Sequence, residues 1–253
     1  MNKHVVITGA SGGIGAALAE QLAAAGCRVI LAARREAELR AVAQRAGAGT
    51  VVIPTDVTRR ADVERLRDRA IAELGHVDVW VNNAGRGITK PALELTDEEL
   101  DDMIAINVKS ALYGMQAIVP HFVQRQSGHV INVSSFLSRV PFATFRSGYN
   151  AAKAALNALT ANARVDLARS HPGIHVTLVM PGLVSTNFQR NARGGSPPLP
   201  PTTPSQTPEE AAAAIVRVID TPVAEIYTNP QQAAVALDYF RDVGAFEGRV
   251  AAR

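Results

Sequence analysis

Tyr149 and Lys153 stand one helical turn apart in the run YNAAK. The chain has only four tyrosines, Tyr113, Tyr149, Tyr227 and Tyr239, and four lysines, Lys3, Lys90, Lys109 and Lys153. Side chains four apart on a helix meet on one face. An ammonium group beside a phenol favours the phenolate, so such a pair can trade a proton near neutral pH. The same spacing also describes a buried tyrosine next to a solvated lysine, and the pair alone leaves both readings open.

A second stretch with chemical potential is TGASGGIG (8–15), where Gly9, Gly13 and Gly15 follow the spacing G-x-x-x-G-x-G. Glycines so placed permit a tight turn, close backbone approach to a pyrophosphate, and close packing of helix on strand. The helix that follows aims unpaired N–H groups at the anion. The stretch follows the first predicted strand and opens the first predicted helix, the context that phosphate binding requires. A plain structural turn is the alternative.

The second strand ends LAARR, with Arg34 and Arg35 where NAD-binding sites carry a carboxylate for the adenosine ribose hydroxyls. Guanidinium groups match a 2′-phosphate and gain little from a neutral hydroxyl. They are also poorly placed as mere solvated groups at a helix N-terminus, against the dipole. The expected cofactor is NADP(H) in preference to NAD(H).

These residues need a scaffold, and the hydrophobic pattern supplies one. HVVIT (4–8), RVILAA (28–33), TVVIP (50–54), VDVWV (77–81), HVINV (129–133) and HVTLVM (175–180) are short, apolar and β-branched, with EIYT (225–228) as a seventh. Helical runs separate them at 13–26, 35–47, 60–74, 97–125, 149–170 and 209–220, and a last one lies at 230–243. This alternation predicts an α/β fold: a doubly wound (Rossmann) parallel sheet of about seven strands with helices on both faces. The reading is one domain over residues 1–253. Its one compositional break is the proline-rich run GGSPPLPPTTPSQTP (194–208), within a segment, 186–208, that is either a surface loop or a lid over the substrate.

With these motifs in order, the chain closely resembles the short-chain dehydrogenase/reductase family in its single-domain form, from about residue 3 to about 190. TGASGGIG is similar to the family's cofactor turn, which adds Ser11 and Ile14 to the expected contacts. Asp56 and Val57 resemble its adenine-contacting pair. NNAG (82–85), with Asn83, Ala84 and Gly85, resembles its sheet-stabilising signature beside the cofactor. Pro181, Gly182, Val184 and Thr186 resemble the segment next to the nicotinamide. Asn107, Ser135, Tyr149 and Lys153 resemble the four catalytic positions. The resemblance implies that Ser135 and Tyr149 hold the substrate oxygen and Tyr149 exchanges its proton. It also implies that Lys153 lowers the tyrosine pKa and binds the nicotinamide ribose, while Asn107 holds a water linking the lysine to solvent. Two departures stand out. Ser135 is fourteen positions before Tyr149, where about thirteen is common, and Ser134 is fifteen before it. Ser138 occupies a position where glycine is common.

Composition narrows the class of protein. Of 253 residues, 47% are hydrophobic and 19% charged, with a formal net charge of +3, as expected for a globular chain without nucleic-acid or membrane partners. No apolar run reaches the length of a membrane span, and the N-terminus enters a strand directly, so a cytoplasmic location is expected. The single cysteine, Cys27, lies in an apolar segment and reads as a small core residue. No metal site is expected: His171 and His175 are four apart, but Pro172 and Gly173 oppose the helix that would align them. The other four histidines likewise read as structural or surface.

Phe136, Leu137, Phe142, Phe145, Leu183 and Phe188 flank the expected site. They point to a lipophilic ketone, aldehyde or secondary alcohol, or else to ordinary core. Arg86 and Arg146 are either partners for an acidic substrate group or solvated surface. The resulting reading is an NADP(H)-dependent oxidoreductase acting on a small molecule, as a homodimer or homotetramer. The alternatives are an NADP(H)-sensing regulatory protein without turnover, or an epimerase or dehydratase of the same family.

Overall fold

The apolar runs form strands and the runs between them form helices. The computed structural model describes residues 1–195 and 203–252. In chain order the elements are β1 (His4–Thr8), α1 (Gly13–Ala24), β2 (Arg28–Ala33), α2 (Glu36–Ala46), β3 (Thr50–Pro54), α3 (Arg60–Leu74), β4 (Val79–Asn82), α4 (Asp97–Ile104), α5 (Ser110–Arg125) and β5 (Gly128–Val133). Then follow α6 (Ser147–Ser170), β6 (Ile174–Met180), α7 (Pro208–Asp220), β7 (Glu225–Tyr227), α8 (Gln231–Arg241) and α9 (Val243–Ala251).

The strands make one parallel sheet in the order β3-β2-β1-β4-β5-β6-β7. From β1 the chain winds outward to β2 and β3, then returns to the other side of β1 for β4 onward. The order therefore reverses between β1 and β4, and a crevice opens at the carboxyl ends of those two strands.

Both sheet faces are buried, which explains strands that are apolar at successive positions. Val5 and Ile7 face one layer with Leu18, Leu22, Leu39 and Ile215. Val6 faces the other with Leu66, Trp80, Ile118 and Phe122. Fully burying side chains of this size stabilises the fold by about 1.5–3 kcal/mol each. Cys27 belongs to the first layer.

The expected helix over 97–125 is interrupted. Residues Ala105–Lys109 widen to a π-turn between α4 and α5; such turns recur at functional sites. The fourth strand starts at Val79 rather than Val77. Helix α9 is absent from the sequence-based expectation because two glycines in VGAFEGRVA weaken its pattern; the Asp242 side chain caps it by accepting from Ala245 N at 2.9 Å.

Of the proline-rich stretch, residues 196–202 lie outside the described residues. Its leading limb is pinned across the cleft: Arg193 N donates to Gly87 O at 3.0 Å, and Thr89 N to Arg193 O at 2.8 Å. The Arg193 guanidinium reaches Asp102 at 2.5 Å and Glu99 at 3.8 Å on α4. Its returning limb pairs with the segment after β6, through Gln206 N to Leu183 O and Ser185 N to Gln206 O, both 2.9 Å.

Candidate active site

A cleft of about 1410 Å³ opens at the carboxyl ends of the strands. Its floor is the turn between β1 and α1. Gly9 has φ +68°, and a Cβ there would lie 2.7 Å from Ala84 Cα; a Cβ on Gly15 would lie 2.5 Å from Gly9 O. Neither position has room for a side chain, so the backbone is held close under the cleft. Asn83 fixes the turn, its Nδ2 donating to Thr8 O (3.0 Å) and Gly9 O (3.2 Å). From the other side Thr186 closes over the turn, its Cγ2 3.1 Å from where a Gly13 Cβ would be. The result is a bare backbone cradle at a helix N-terminus, which fits the pyrophosphate of a dinucleotide.

Ser11, Ile14, Arg34, Arg35, Asp56, Val57, Ala84, Gly85, Pro181, Gly182 and Val184 line the same cleft. Arg34 and Arg35 are exposed at its mouth. Arg35 donates to Ser11 Oγ at 3.0 Å and pairs with Glu38 at 3.3 Å. Asp56 accepts from Thr58 N (3.0 Å) and Thr58 Oγ1 (2.7 Å), which fixes its carboxylate. The NNAG signature ties the sheet together below. Asn82 Oδ1 accepts from Trp80 Nε1 and Asn82 Nδ2 donates to Asn132 Oδ1, both at 2.8 Å.

Ser135, Tyr149 and Lys153 meet where β5 and the start of α6 face the cleft. All three are buried in the protein and line the cleft. The Lys153 ammonium lies 5.9 Å from the centre of the Tyr149 ring and donates to Val133 O at 2.8 Å. Tyr149 packs edge-on against Phe188, with ring centres 5.5 Å apart. Asn107 sits in the π-turn. Its Nδ2 donates to Arg86 O (3.0 Å) and Met103 O (3.1 Å), and its Oδ1 accepts from Arg86 N (3.2 Å). A Cβ on Gly85 would touch Asn107 Oδ1 at 2.9 Å and Lys153 Nζ at 3.4 Å. Asparagine and lysine thus flank one glycine.

The two serines have separate surroundings. Successive residues leaving a strand point to opposite sides. Ser134 turns into α6, donating to Asn157 Oδ1 (2.6 Å) and Lys153 O (3.2 Å). Ser135 turns to the tyrosine. Ser138 joins the Ser134 side, accepting from Asn157 Nδ2 at 2.7 Å. The extra hydroxyl at 138 thereby completes a buried network. Accordingly, Ser135→Ala is expected to lower kcat about a hundredfold with little change in stability. Ser134→Ala is expected to cost about 1–3 kcal/mol of stability. Steady-state rates and urea melts on both variants check this, and a larger kcat loss in Ser134→Ala would reverse the assignment.

The electrostatics differ from the sequence-based expectation. Burial pushes the Tyr149 phenol up to about 12; Ser135, by hydrogen bonding, and the Arg146 charge oppose the rise. Burial alone pulls the Lys153 ammonium down to about 7. Both groups are held toward their neutral forms, because desolvation disfavours the charged form of each. The Arg146 charge acts on the phenol against that rise.

A stability consequence follows for Lys153. Its pKa is 10.5 before folding and about 7 after. Between these values the unfolded chain holds a proton that the folded one has released, so stability rises with pH. The destabilising contribution is complete below about 7 and gone above 10.5. The melting temperature of the cofactor-free protein minus that of Lys153→Met should therefore climb from pH 7 to pH 10. A flat difference would show that the lysine titrates normally.

On the substrate side, Phe136, Leu137, Phe142, Phe145, Leu183 and Phe188 all line the cleft. Arg146 is not a solvated surface residue: it is 3% exposed. Its guanidinium donates to Ile88 O (3.2 Å), Thr89 Oγ1 (3.1 Å) and Gln189 Oε1. Arg86 pairs with Asp102 at 3.2 Å. Nothing in the sequence marked Arg146 for burial, since its partners are backbone and neutral side chains distant along the chain.

Among the described residues one group could offer metal ligands, His4, His76 and Asp78, within 4.8 Å of one another. They lie at the amino ends of β1 and β4, away from the cleft. Asp78 there already accepts from His4 N at 2.9 Å and from Arg125 at 3.2 Å. His171 and His175 are not part of it. No helix among the described residues is long and apolar enough to cross a membrane.

Comparison with known proteins agrees with this geometry. The sequence profile of the short chain dehydrogenase family matches residues 3–196. An uncharacterized oxidoreductase of Staphylococcus epidermidis is 36% identical over 184 residues, 73% of this chain and 79% of that protein. Among solved structures, the closed form of a serine dehydrogenase complexed with NADP+ is 30% identical with a TM-score of 0.82, covering 90% of this chain and 94% of its own. A short chain dehydrogenase/reductase from Burkholderia phymatum in complex with NAD has a TM-score of 0.87 over 96% of this chain and 95% of its own. At 24% identity it speaks for the fold alone.

Proposed function

Because the chain belongs to the short chain dehydrogenase family and is an oxidoreductase with a nicotinamide cofactor, we propose that it transfers hydride between NADP(H) and the carbonyl or secondary alcohol of a largely apolar small molecule. The observation that carries this reading is the convergence of Ser135, Tyr149 and Lys153 in the cleft that also holds the glycine cradle.

The reduced nicotinamide supplies the hydride. The chain's residues do the rest. Ser135 and the Tyr149 hydroxyl donate to the carbonyl oxygen and stabilise the negative charge that grows on it. Tyr149 delivers its proton to that oxygen, or removes it in the oxidative direction. Lys153 would hold the ribose hydroxyls of the bound cofactor, and a positive charge brought near the phenol would draw its pKa down from its resting value. Asn107 steadies the loop at Arg86 and opens the lysine to a proton-carrying water. Gly9, Gly13 and Gly15 with Ser11 and Ile14 would hold the pyrophosphate, Asp56 and Val57 the adenine, and Pro181, Gly182, Val184 and Thr186 the nicotinamide.

Preference for NADP(H) is supported by Arg34 and Arg35 at the mouth, Arg35 bonded to Ser11, two guanidinium groups whose chemistry would match a ribose 2′-phosphate. The apolar class of substrate is supported by the six residues from Phe136 to Phe188 that line the cleft. The test is carbonyl-dependent NADPH oxidation by purified protein against aldehydes, ketosteroids, quinones and keto-esters. Turnover of at least one class is expected. Binding of NADPH without consumption across the whole panel would identify a sensor instead.

A further inference from the structure

At the amino ends of β1 and β4, on the side of the sheet opposite the cleft, two histidines and an aspartate come together. Helix α3 stops at Leu74 because Gly75 takes a left-handed turn (φ +82°), its N–H closing on Ile71 O at 2.8 Å. That turn delivers His76 to the edge of the sheet. Val5 pairs with Val79 in the parallel ladder, so His4 and Asp78 are neighbours across it. Asp78 N donates to His4 O and His4 N to Asp78 Oδ2, both at 2.9 Å. One ring nitrogen of each histidine and one Asp78 oxygen lie within 4.8 Å of one another. Because 72 residues separate the two histidines, spacing alone predicts no metal site here.

Three details suit a metal centre. His76 Nε2 is 3.3 Å from Asp78 Oδ1, and two donors bound to one tetrahedral zinc ion stand about 3.3 Å apart. His4 Nδ1 bonds to His76 O at 3.1 Å; a carbonyl partner needs the proton on Nδ1, which leaves the free lone pair on Nε2. Ligating histidines are commonly held in this way, through the nitrogen that does not bind the metal. The carboxylate is held as well, Oδ2 by His4 N and Oδ1 by Arg125 Nη1 at 3.2 Å. Arg125 takes one lone pair of Oδ1 and leaves a second. Its charge works against a cation, so a moderate affinity is expected. His76 and Asp78 are both partly exposed, which gives a hydrated ion a way in.

We propose that His4, His76 and Asp78 form a zinc-binding site, with water as the fourth ligand. Imidazole suits zinc, whereas magnesium and calcium favour all-oxygen sites. Zinc accepts three protein ligands and a water. The ion would tie the start of β1 to the turn before β4 and stabilise the fold there, apart from the nicotinamide chemistry.

The test uses protein free of any affinity tag, stripped with EDTA, dialysed and titrated with zinc chloride by calorimetry. His4→Gln and His76→Gln are titrated alongside, with His171→Gln as control. Wild type and His171→Gln are expected to bind one zinc per chain. Both should melt about 5 °C or more higher when free zinc is about a hundredfold above the dissociation constant. His4→Gln and His76→Gln should each bind at least about a hundredfold more weakly and lose that shift. Magnesium chloride in place of zinc should move none of the four proteins. In wild type itself, whatever the folding of the variants, zinc should move the NMR ring signals of His4 and His76 and leave those of His171 and His175 in place. No saturable zinc binding by wild type would overturn the site. So would equal binding by wild type and both ligand variants, or ring signals of His4 and His76 that zinc leaves unmoved.

Discussion

Tyr149→Phe is expected to bind NADPH normally and to lose at least about a thousandfold in turnover. The substitution removes one oxygen. With it go the proton that the product alcohol needs and one of two hydrogen bonds to the charge that develops on the substrate; losses of this order follow from each. The ring itself stays, and so does its edge-on packing against Phe188, so the cleft keeps its shape. Fluorescence titration with NADPH and steady-state rates on the same preparation separate binding from chemistry. Retained turnover would take the tyrosine out of the mechanism. Weakened NADPH binding with turnover lowered in proportion would make it a cofactor contact and no more.

The second large effect concerns the cofactor. Arg34→Ala is expected to raise the KM for NADPH about 10–100-fold, the range for loss of a charge-assisted hydrogen bond to phosphate, and to change NADH far less. Arg34 is the sharper probe of the pair, because Arg35 is already tied to Ser11 and Glu38. The measurement is kcat/KM for both cofactors in wild type and variant. Equal losses would mean that Arg34 supports the fold of the mouth rather than reading the 2′-phosphate.

Much of the scaffold can be read from local pattern. The β-branched runs become strands almost residue for residue because a parallel sheet covered on both faces needs continuous apolar strands. The glycines at 9 and 15 are equally legible, since their role is steric and each has a backbone neighbour where a Cβ would stand. YNAAK is legible as geometry but not as electrostatics. Spacing says that phenol and ammonium share a face, but it does not say that both are buried. Burial drives the phenol pKa up and the ammonium pKa down, each toward its neutral form. Spacing does not separate Ser135 from Ser134; their different hydrogen-bond partners arise only where the turn after β5 meets α6.

The rest depends on contacts distant in sequence. Arg146 looks like any surface arginine until residues 87–90 and 188–189 close around it. The π-turn at Ala105–Lys109 gives no compositional signal, yet it sets the Asn107 amide against Arg86. His4 and His76 are far apart in the chain and meet only because β1 and β4 are neighbours in the sheet. Position-specific function of this kind is written in tertiary contacts and not in periodicity.

The most direct measurement follows one atom. Purified protein is supplied with NADPH deuterated at C4 on the transferred face, together with a ketone that it turns over, and the product alcohol is analysed by mass spectrometry and NMR. The account predicts one deuterium on the carbinol carbon for each NADPH consumed, and none on the hydroxyl after exchange. Deuterium retained on the dinucleotide, or lost to water, while product forms would contradict direct hydride transfer in the cleft around Ser135, Tyr149 and Lys153.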